Sequence, residues 1–207
     1  MKKLVKWLKN SSPGSGKGRV LSAKLGHFLD IPLSRIAKKI PLSPNTISIA
    51  GFLVTVIAAL MIPRNIRLGG ILILIGGILD LLDGVVARTK GQVTKFGAFL
   101  DSVLDRYSDA FIFVAISWYF LKKENLIGIL ISLGTLTGAF LISYTRARAE
   151  GLGHACHIGI MERPERIILL GFATITGWLL PVLWIMLIFT HITVLQRIYH
   201  VWKAIKL

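Results

Sequence analysis

The chain has 207 residues, of which 54% are hydrophobic, and its mean hydropathy is +0.68. This composition is too apolar for an ordinary soluble domain. The formal net charge is +15, but no aromatic residues alternate with the basic ones as in nucleic-acid-binding segments, so no nucleic-acid partner is expected. The single cysteine, Cys156, excludes an intrachain disulfide.

A basic segment precedes the first apolar stretch and carries ten lysines and arginines, which suits contact with anionic membrane lipids. Residues 10–18 are rich in Ser, Gly and Pro and predict a flexible linker. Residues 19–40 alternate apolar and basic positions, a pattern typical of an amphipathic helix that lies in the membrane interface. We therefore divide the chain into a cytoplasmic segment, residues 1–42, and a membrane domain, residues 43–207.

Six apolar stretches follow, and a helix needs about 20 such residues to cross a bilayer. The predicted fold class is an all-α integral membrane protein with six transmembrane helices and an N-terminal interfacial helix. The predicted spans are residues 45–63, 67–88, 97–121, 125–147, 164–178 and 181–203.

The lysines and arginines around these spans are distributed unevenly between the two sides of the membrane. Twenty lie on the side of the N-terminus, and four lie on the other side. Basic residues accumulate on the cytoplasmic side of membrane proteins. The distribution therefore places both termini in the cytoplasm, and we expect a multi-pass protein of the cell membrane. The four residues on the outer side are Arg64, Arg67, Lys122 and Lys123.

Aspartates interrupt the second and third spans near their cytoplasmic ends. Asp80 and Asp83 are three positions apart, and Asp101 and Asp105 are four apart, so each pair shares one face of its helix. An aspartate at the centre of a membrane helix costs about 2.5–3.5 kcal/mol, which makes such residues functional candidates. Because a short turn joins the two spans, we expect them to be antiparallel neighbours whose four carboxylates converge. Asp109 lies outside this pattern and is expected to pair with a buried arginine or to line a water-filled cavity.

Four ionised carboxylates in a space of low dielectric require a positive counter-charge. Hard oxygen ligands suit Mg²⁺ or Mn²⁺, and this much negative charge suits two ions. Two-metal sites of this kind stabilise displacement reactions at phosphorus. Small residues follow in the same stretch, where a nucleotide would approach the backbone, and an arginine offers a planar fork to a diphosphate. These candidate nucleotide-binding residues are Gly84, Ala87, Arg88 and Gly97.

The full pattern between Asp80 and Asp105 reads DxxDGxxARx8GxxxDxxxD, and in this pattern the chain resembles the CDP-alcohol phosphotransferase family. The resemblance implies a six-helix fold, a homodimer and an active site that faces the cytoplasm. It also implies that CDP is bound by the glycines, Arg88 and the metal ions, and that Asp105 is the general base. In the implied reaction, an acceptor hydroxyl attacks the β-phosphorus of a CDP-alcohol and CMP leaves.

Two further segments, residues 143–150 and 162–166, resemble those of the branch that uses inositol phosphate as the acceptor. This resemblance implies that Arg146, Arg148 and Arg163 hold the acceptor phosphate, although several relatives carry Lys at the first position. CDP-diacylglycerol or CDP-archaeol is the expected donor.

Three alternatives remain open. The arginines could simply follow the charge asymmetry of the membrane, with Arg166 paired to Glu162 one helical turn away. The acceptor could be glycerol 3-phosphate. Intramembrane carboxylates also mark ion pathways in transporters, and formation of CMP would distinguish an enzyme from a transporter.

Overall fold

The computed structural model describes Ala37 and residues 40–206. The predicted linker lies outside these residues, as does nearly all of the predicted interfacial helix, so both stay predictions. The regular structure of the described residues is helical, and each predicted span overlaps one helix. The helices are α1 (Pro44–Met61), α2 (Ile66–Thr89), α3 (Lys95–Leu121), α4 (Leu126–Gly151), α5 (Arg163–Thr176) and α6 (Leu179–Lys206).

Polar residues define where the first four helices begin. In each case the side-chain oxygen of the residue before the helix accepts a hydrogen bond from a backbone N–H of the first turn. Such a cap satisfies a donor that has no partner within the helix. The end of α5 is also marked by its sequence: Gly177 adopts a left-handed conformation, with φ of 83°, and ends the helix. The four capping residues are Ser43, Asn65, Thr94 and Asn125.

Four helices, α1, α2, α4 and α6, are long and apolar enough to cross a membrane. Helix α3 is also long, with 27 residues, but charged residues interrupt its first half. Helix α5 has 14 residues and is therefore about 21 Å long, less than the roughly 30 Å of a bilayer's hydrocarbon core. The two helices with the weakest membrane signal carry Asp101, Asp105, Asp109, Arg163 and Arg166, which are described below.

The six helices pack in a closed ring. Helix α1 packs against α2 and α3, α2 against α5, α5 against α6, α6 against α4, and α4 against α3. Helices α2 and α3 were expected to be neighbours; they are not among the extensively packed pairs, because each lies along α1, although their aspartates converge. Residues 90–94 connect them, and five extended residues reach about 17 Å, enough to pass a helix about 10 Å wide.

Glycines permit the close approach of α4 and α6. A Cβ atom at Gly134 would lie 2.9 Å from Leu187, and one at Gly138 would clash with Thr190. Small residues in a GxxxG arrangement let membrane helices approach closely. The GxxxG pair of α4 therefore packs within one protomer.

Apolar side chains separate into a core and an outer surface. The core between the helices contains Phe113, Ile116, Leu170 and Leu183, which are buried. The outer faces expose many large apolar side chains on every helix. A soluble protein rarely exposes so much apolar surface, whereas a bilayer solvates it.

Candidate active site

Three aspartates form an acidic cluster between α2 and α3. One carboxylate oxygen from each of Asp80, Asp101 and Asp105 lies within 4.8 Å of the other two. The side chains are partly buried, so water screens their repulsion only partly. Three converging carboxylates are the ligand set that Mg²⁺ and Mn²⁺ prefer, and their spacing allows them to share an ion. The residues present therefore fit a divalent cation.

Asp83, the fourth predicted ligand, lies beside this cluster in a different environment. It is buried, and its carboxylate accepts a hydrogen bond from the Ser48 hydroxyl of α1. It is not part of the group of three, although Asp83 and Asp101 line the same cavity. Its role as a metal ligand stays a prediction.

That cavity, the nucleotide-side cavity, has a volume of about 300 Å³. It lies between the start of α1, the end of α2 and the start of α3. The two glycines of the motif lie where a side chain would crowd its neighbours. A Cβ atom at Gly97 would lie 3.0 Å from Asn45 Oδ1, and one at Gly84 would lie 3.3 Å from the Arg88 guanidinium. All four predicted nucleotide-binding residues line this cavity: Gly84, Ala87, Arg88 and Gly97.

A second and larger cavity, the cationic cavity, opens on the other side of Asp101 and has a volume of about 810 Å³. Residues of α3, α4, α5 and α6 line it. Asp101 and Asp105 belong to its wall, so it reaches the acidic cluster. Two of the predicted acceptor arginines, Arg146 and Arg163, line it, whereas Arg148 is not among the lining residues. The cavity is named for the five arginines that line it, Arg106, Arg146, Arg163, Arg166 and Arg197. Five carboxylates also line it: Asp101, Asp105, Asp109, Glu150 and Glu162.

Arg163 connects the cationic cavity to the acidic cluster. Its guanidinium forms an ion pair with Asp80 and lies 2.6 Å from Asp105 Oδ1. One arginine of α5 thus contacts carboxylates of both α2 and α3. Two of the three clustered aspartates receive part of their counter-charge from this side chain.

Two other arginines of the cavity form buried ion pairs. Arg166 donates a hydrogen bond of 2.6 Å to Asp109, which confirms that Asp109 pairs with a buried arginine. Glu162 pairs with Arg197 of α6 at 3.2 Å. The suggested pairing of Arg166 with Glu162 stays a prediction. The spacing within one helix did not reveal the partners on α3 and α6.

Two residues of the cavity walls were not identified from the sequence. Ser48 lies one helical turn after Pro44 and faces the nucleotide-side cavity. Arg197 was counted only as a cytoplasmic charge, yet it is almost fully buried and donates hydrogen bonds to the carbonyls of Ile142 and Ile158. An arginine within an apolar helix is as costly as an aspartate there, so its position in the sequence already marks Arg197 as a functional candidate.

The sequence profile of the CDP-alcohol phosphatidyltransferase family matches residues 42–202. The chain belongs to this family. The match covers all six helices and includes the whole aspartate motif. The resemblance inferred from that motif is therefore confirmed, and so is the enzyme class: the protein is a membrane CDP-alcohol phosphotransferase of phospholipid biosynthesis.

Relatives within the family support the same fold. The archaetidylinositol phosphate synthase of Pyrococcus horikoshii is 38% identical over 181 residues, which cover 85% of this chain and 94% of that protein. The crystal structure of phosphatidylinositol phosphate synthase from Mycobacterium tuberculosis with CDP-DAG bound is 30% identical, with a TM-score of 0.73. The match covers 84% of this chain and 93% of that one. The same enzyme in complex with manganese and citrate also gives a TM-score of 0.73 at 30% identity, and the match covers 84% of this chain and 88% of that one. The predicted all-α membrane fold is confirmed.

Proposed function

We propose that the protein transfers a phosphatidyl-type group from a CDP-linked lipid to a hydroxyl of inositol 1-phosphate and releases CMP. The observation that carries this proposal is the position of Asp101, which belongs to the walls of both cavities. A donor diphosphate in the smaller cavity and an acceptor in the larger one would meet at the acidic cluster. CDP-diacylglycerol and CDP-archaeol are the candidate donors.

The nucleotide-side cavity suits the donor. Its glycines leave room for a nucleotide beside the backbone, and the Arg88 side chain lies at the cavity wall, where it would bind a diphosphate oxygen. Apolar side chains on the outer faces of α1 and α2 are exposed, and the lipid chains of the donor would lie against them. The lipid chains of the donor would then stay in the membrane while its diphosphate occupies the cavity.

The cationic cavity suits a phosphorylated acceptor. Arg146 is about half exposed, and its ion pair with Glu150 is an exposed i,i+4 contact of the kind worth about 0.3–0.5 kcal/mol. A phosphate would compete easily with so weak a partner. Two relatives that use the same fold are synthases of inositol phosphate lipids, which favours inositol phosphate as the acceptor.

The proposed chemistry is a direct displacement. Asp105 accepts the proton of the acceptor hydroxyl, whose oxygen forms a bond to the β-phosphorus, while the bond from that phosphorus to the CMP oxygen breaks. Asp80, Asp83, Asp101 and Asp105 would hold the divalent cations, Mg²⁺ or Mn²⁺ and two in number, which supply charge stabilisation for the diphosphate when bound. We further propose that the site faces the cytoplasm, with both termini on that side, in the plasma membrane, and that the protein is a homodimer.

An acceptor panel tests this function. Purified protein in lipid nanodiscs is incubated with each CDP-linked donor and with inositol 1-phosphate, glycerol 3-phosphate or unphosphorylated inositol, and released CMP is measured. We expect release only with inositol 1-phosphate, and none after a chelator removes divalent cations. Release with glycerol 3-phosphate alone would overturn the inositol assignment. Release with inositol itself would remove the role of the phosphate.

A further inference from the structure

Arg163 occupies an unusual position, because it contacts residues assigned to two different tasks. Its guanidinium pairs with Asp80 and approaches Asp105 to 2.6 Å, so it neutralises two of the carboxylates that would hold a divalent cation. It also lines the cationic cavity, where the acceptor phosphate would lie. A cation that bound both carboxylates through the oxygens that Arg163 now contacts, Asp80 Oδ2 and Asp105 Oδ1, would have to displace the guanidinium.

The contacts of Arg163 are incomplete. Its buried Nε atom has no hydrogen-bond partner, and Asp105 Oδ1, although close, is not aligned to accept a hydrogen bond. A buried donor without a partner costs about 1–3 kcal/mol. Arg163 is therefore held by charge and by the hydrogen bond that it donates to Asp80, and part of its hydrogen-bonding capacity is unused. A phosphate in the adjacent cavity would offer oxygens to that capacity.

The neighbouring arginine of α5 is held differently. Arg166 lies one turn further along the helix and donates a hydrogen bond to Asp109, and both side chains are almost fully buried. This pair ties α5 to α3 independently of Arg163. The Arg163 side chain can therefore turn away from the aspartates without a change in the position of its helix.

We propose that Arg163 is an exchangeable counter-charge that links cation binding to acceptor binding. It neutralises Asp80 and Asp105 until a divalent cation takes them, and the released guanidinium then binds the acceptor phosphate. The proposal rests on the metal and acceptor sites of the proposed function. It makes the two binding events mutually favourable, because linkage requires that each ligand strengthen the other by the same factor.

Manganese binding to the full-length protein in nanodiscs tests the exchange. The EPR signal of free Mn²⁺ gives its affinity for wild type, Arg163→Gln, Arg163→Lys and the control Arg67→Gln. The control removes the same charge from α2, and its residue lies 13 positions from Asp80, about 20 Å along the helix. We expect Arg163→Gln to bind Mn²⁺ about tenfold more tightly, within the 5–150-fold range of typical coupling. Arg163→Lys should be intermediate, because lysine lacks the planar fork. The control should match wild type.

The coupling itself is measured with inorganic phosphate. Calorimetric titration of wild type should show phosphate affinity rising at least about fivefold when Mn²⁺ is saturating. In Arg163→Gln the same addition of Mn²⁺ should change phosphate affinity by less than twofold, since the residue that transmits the effect is missing. Gel filtration and thermal unfolding confirm that the variants are folded.

The outcomes of these experiments separate a failure of the exchange from a failure of the proposed function. If Arg163→Gln binds Mn²⁺ no more tightly than wild type, Arg163 does not compete with the cation and the exchange is wrong. If Arg163→Lys matches wild type, distant charge rather than direct contact sets the affinity, and the exchange is again wrong. If wild type binds no Mn²⁺ and releases no CMP with any donor and acceptor, the proposed function fails instead.

Discussion

Two aspartate–arginine pairs, one helical turn apart, join α3 to α5. They contain the same chemical groups but differ in burial and in the number of their partners. Asp105 meets Arg163, and Asp109 meets Arg166, each at 2.6 Å. Helices α3 and α5 are not among the pairs that pack along their lengths, so these side chains are a main connection between them. Their different surroundings give them different capacities.

Burial is the first difference. The side chains of Asp109 and Arg166 are 5% and 3% exposed, whereas those of Asp105 and Arg163 are 20% and 16% exposed. The second difference is the number of carboxylate partners, since Arg163 also contacts Asp80. A pair that is nearly excluded from water and has no second carboxylate stays together. A pair that meets water and a second carboxylate can exchange, which is what a catalytic carboxylate requires.

The largest expected effect separates the two aspartates by activity. Asp105→Asn should lower the rate of CMP release by about 10²–10⁴-fold, because an amide cannot accept the acceptor's proton. Asp109→Asn should lower it far less per folded molecule, since Asp109 is paired with Arg166 and takes no part in the displacement. Single-turnover CMP release, normalised to the folded fraction from gel filtration, makes the comparison. An Asp105→Asn variant within tenfold of wild type would show that Asp105 is not the base.

The free energy of unfolding should depend more on Asp109 than on Asp105, the opposite of the order expected for activity. Asp109→Ala leaves Arg166 buried without its counter-charge, and breaking such a pair costs about 3–5 kcal/mol. The double variant Asp109→Leu with Arg166→Leu should recover most of that loss, because apolar replacements remove both desolvated charges. Denaturant unfolding in detergent provides the measurement. If the double variant is as unstable as the single one, the ionic pair itself specifies the structure.

A control for this prediction lies on α4. Glu150→Gln breaks the exposed pair with Arg146, and exposed i,i+4 pairs contribute only about 0.3–0.5 kcal/mol. It should therefore leave the free energy of unfolding almost unchanged. A loss comparable to that of Asp109→Ala would mean that burial does not distinguish these pairs.

The helices of this fold could be predicted well because membrane spans are long and apolar, and their caps are local in sequence. All six predicted spans correspond to helices. The order of neighbours around the ring could not be predicted. Connection length limits which helices can touch, but a linker such as residues 90–94 allows more than one arrangement, and the packing surfaces decide between them.

The candidate site was predictable from the sequence only as far as contacts within one helix. Spacing within a helix correctly grouped Asp101 with Asp105, because residues four apart share a face. It could not show that Arg163, 83 positions after Asp80, lies against it, since that contact depends on how α5 packs against α2. Nor could it show that Arg166 pairs with Asp109 of α3. Local periodicity thus identifies the chemical groups, and tertiary packing assigns their partners.

The smallest expected effect concerns Cys156, which lies in the loop that leads into Arg163. The thiol is buried, and burial raises its pKa above the usual range because the thiolate would lose hydration. The folded protein therefore holds this proton more tightly than the unfolded chain, and the contribution to stability is present at neutral pH and lost as pH rises through the folded pKa.

Alkylation by iodoacetamide should be slow at pH 7.4, should accelerate only above about pH 8.5, and should be fast in denatured protein. Saturating Mn²⁺ should not change the rate, because the exchange moves the Arg163 side chain and leaves its loop in place. Faster alkylation with Mn²⁺ would show that the whole loop moves, and the fixed Asp109–Arg166 pair would then not isolate α5 from events at the acidic cluster.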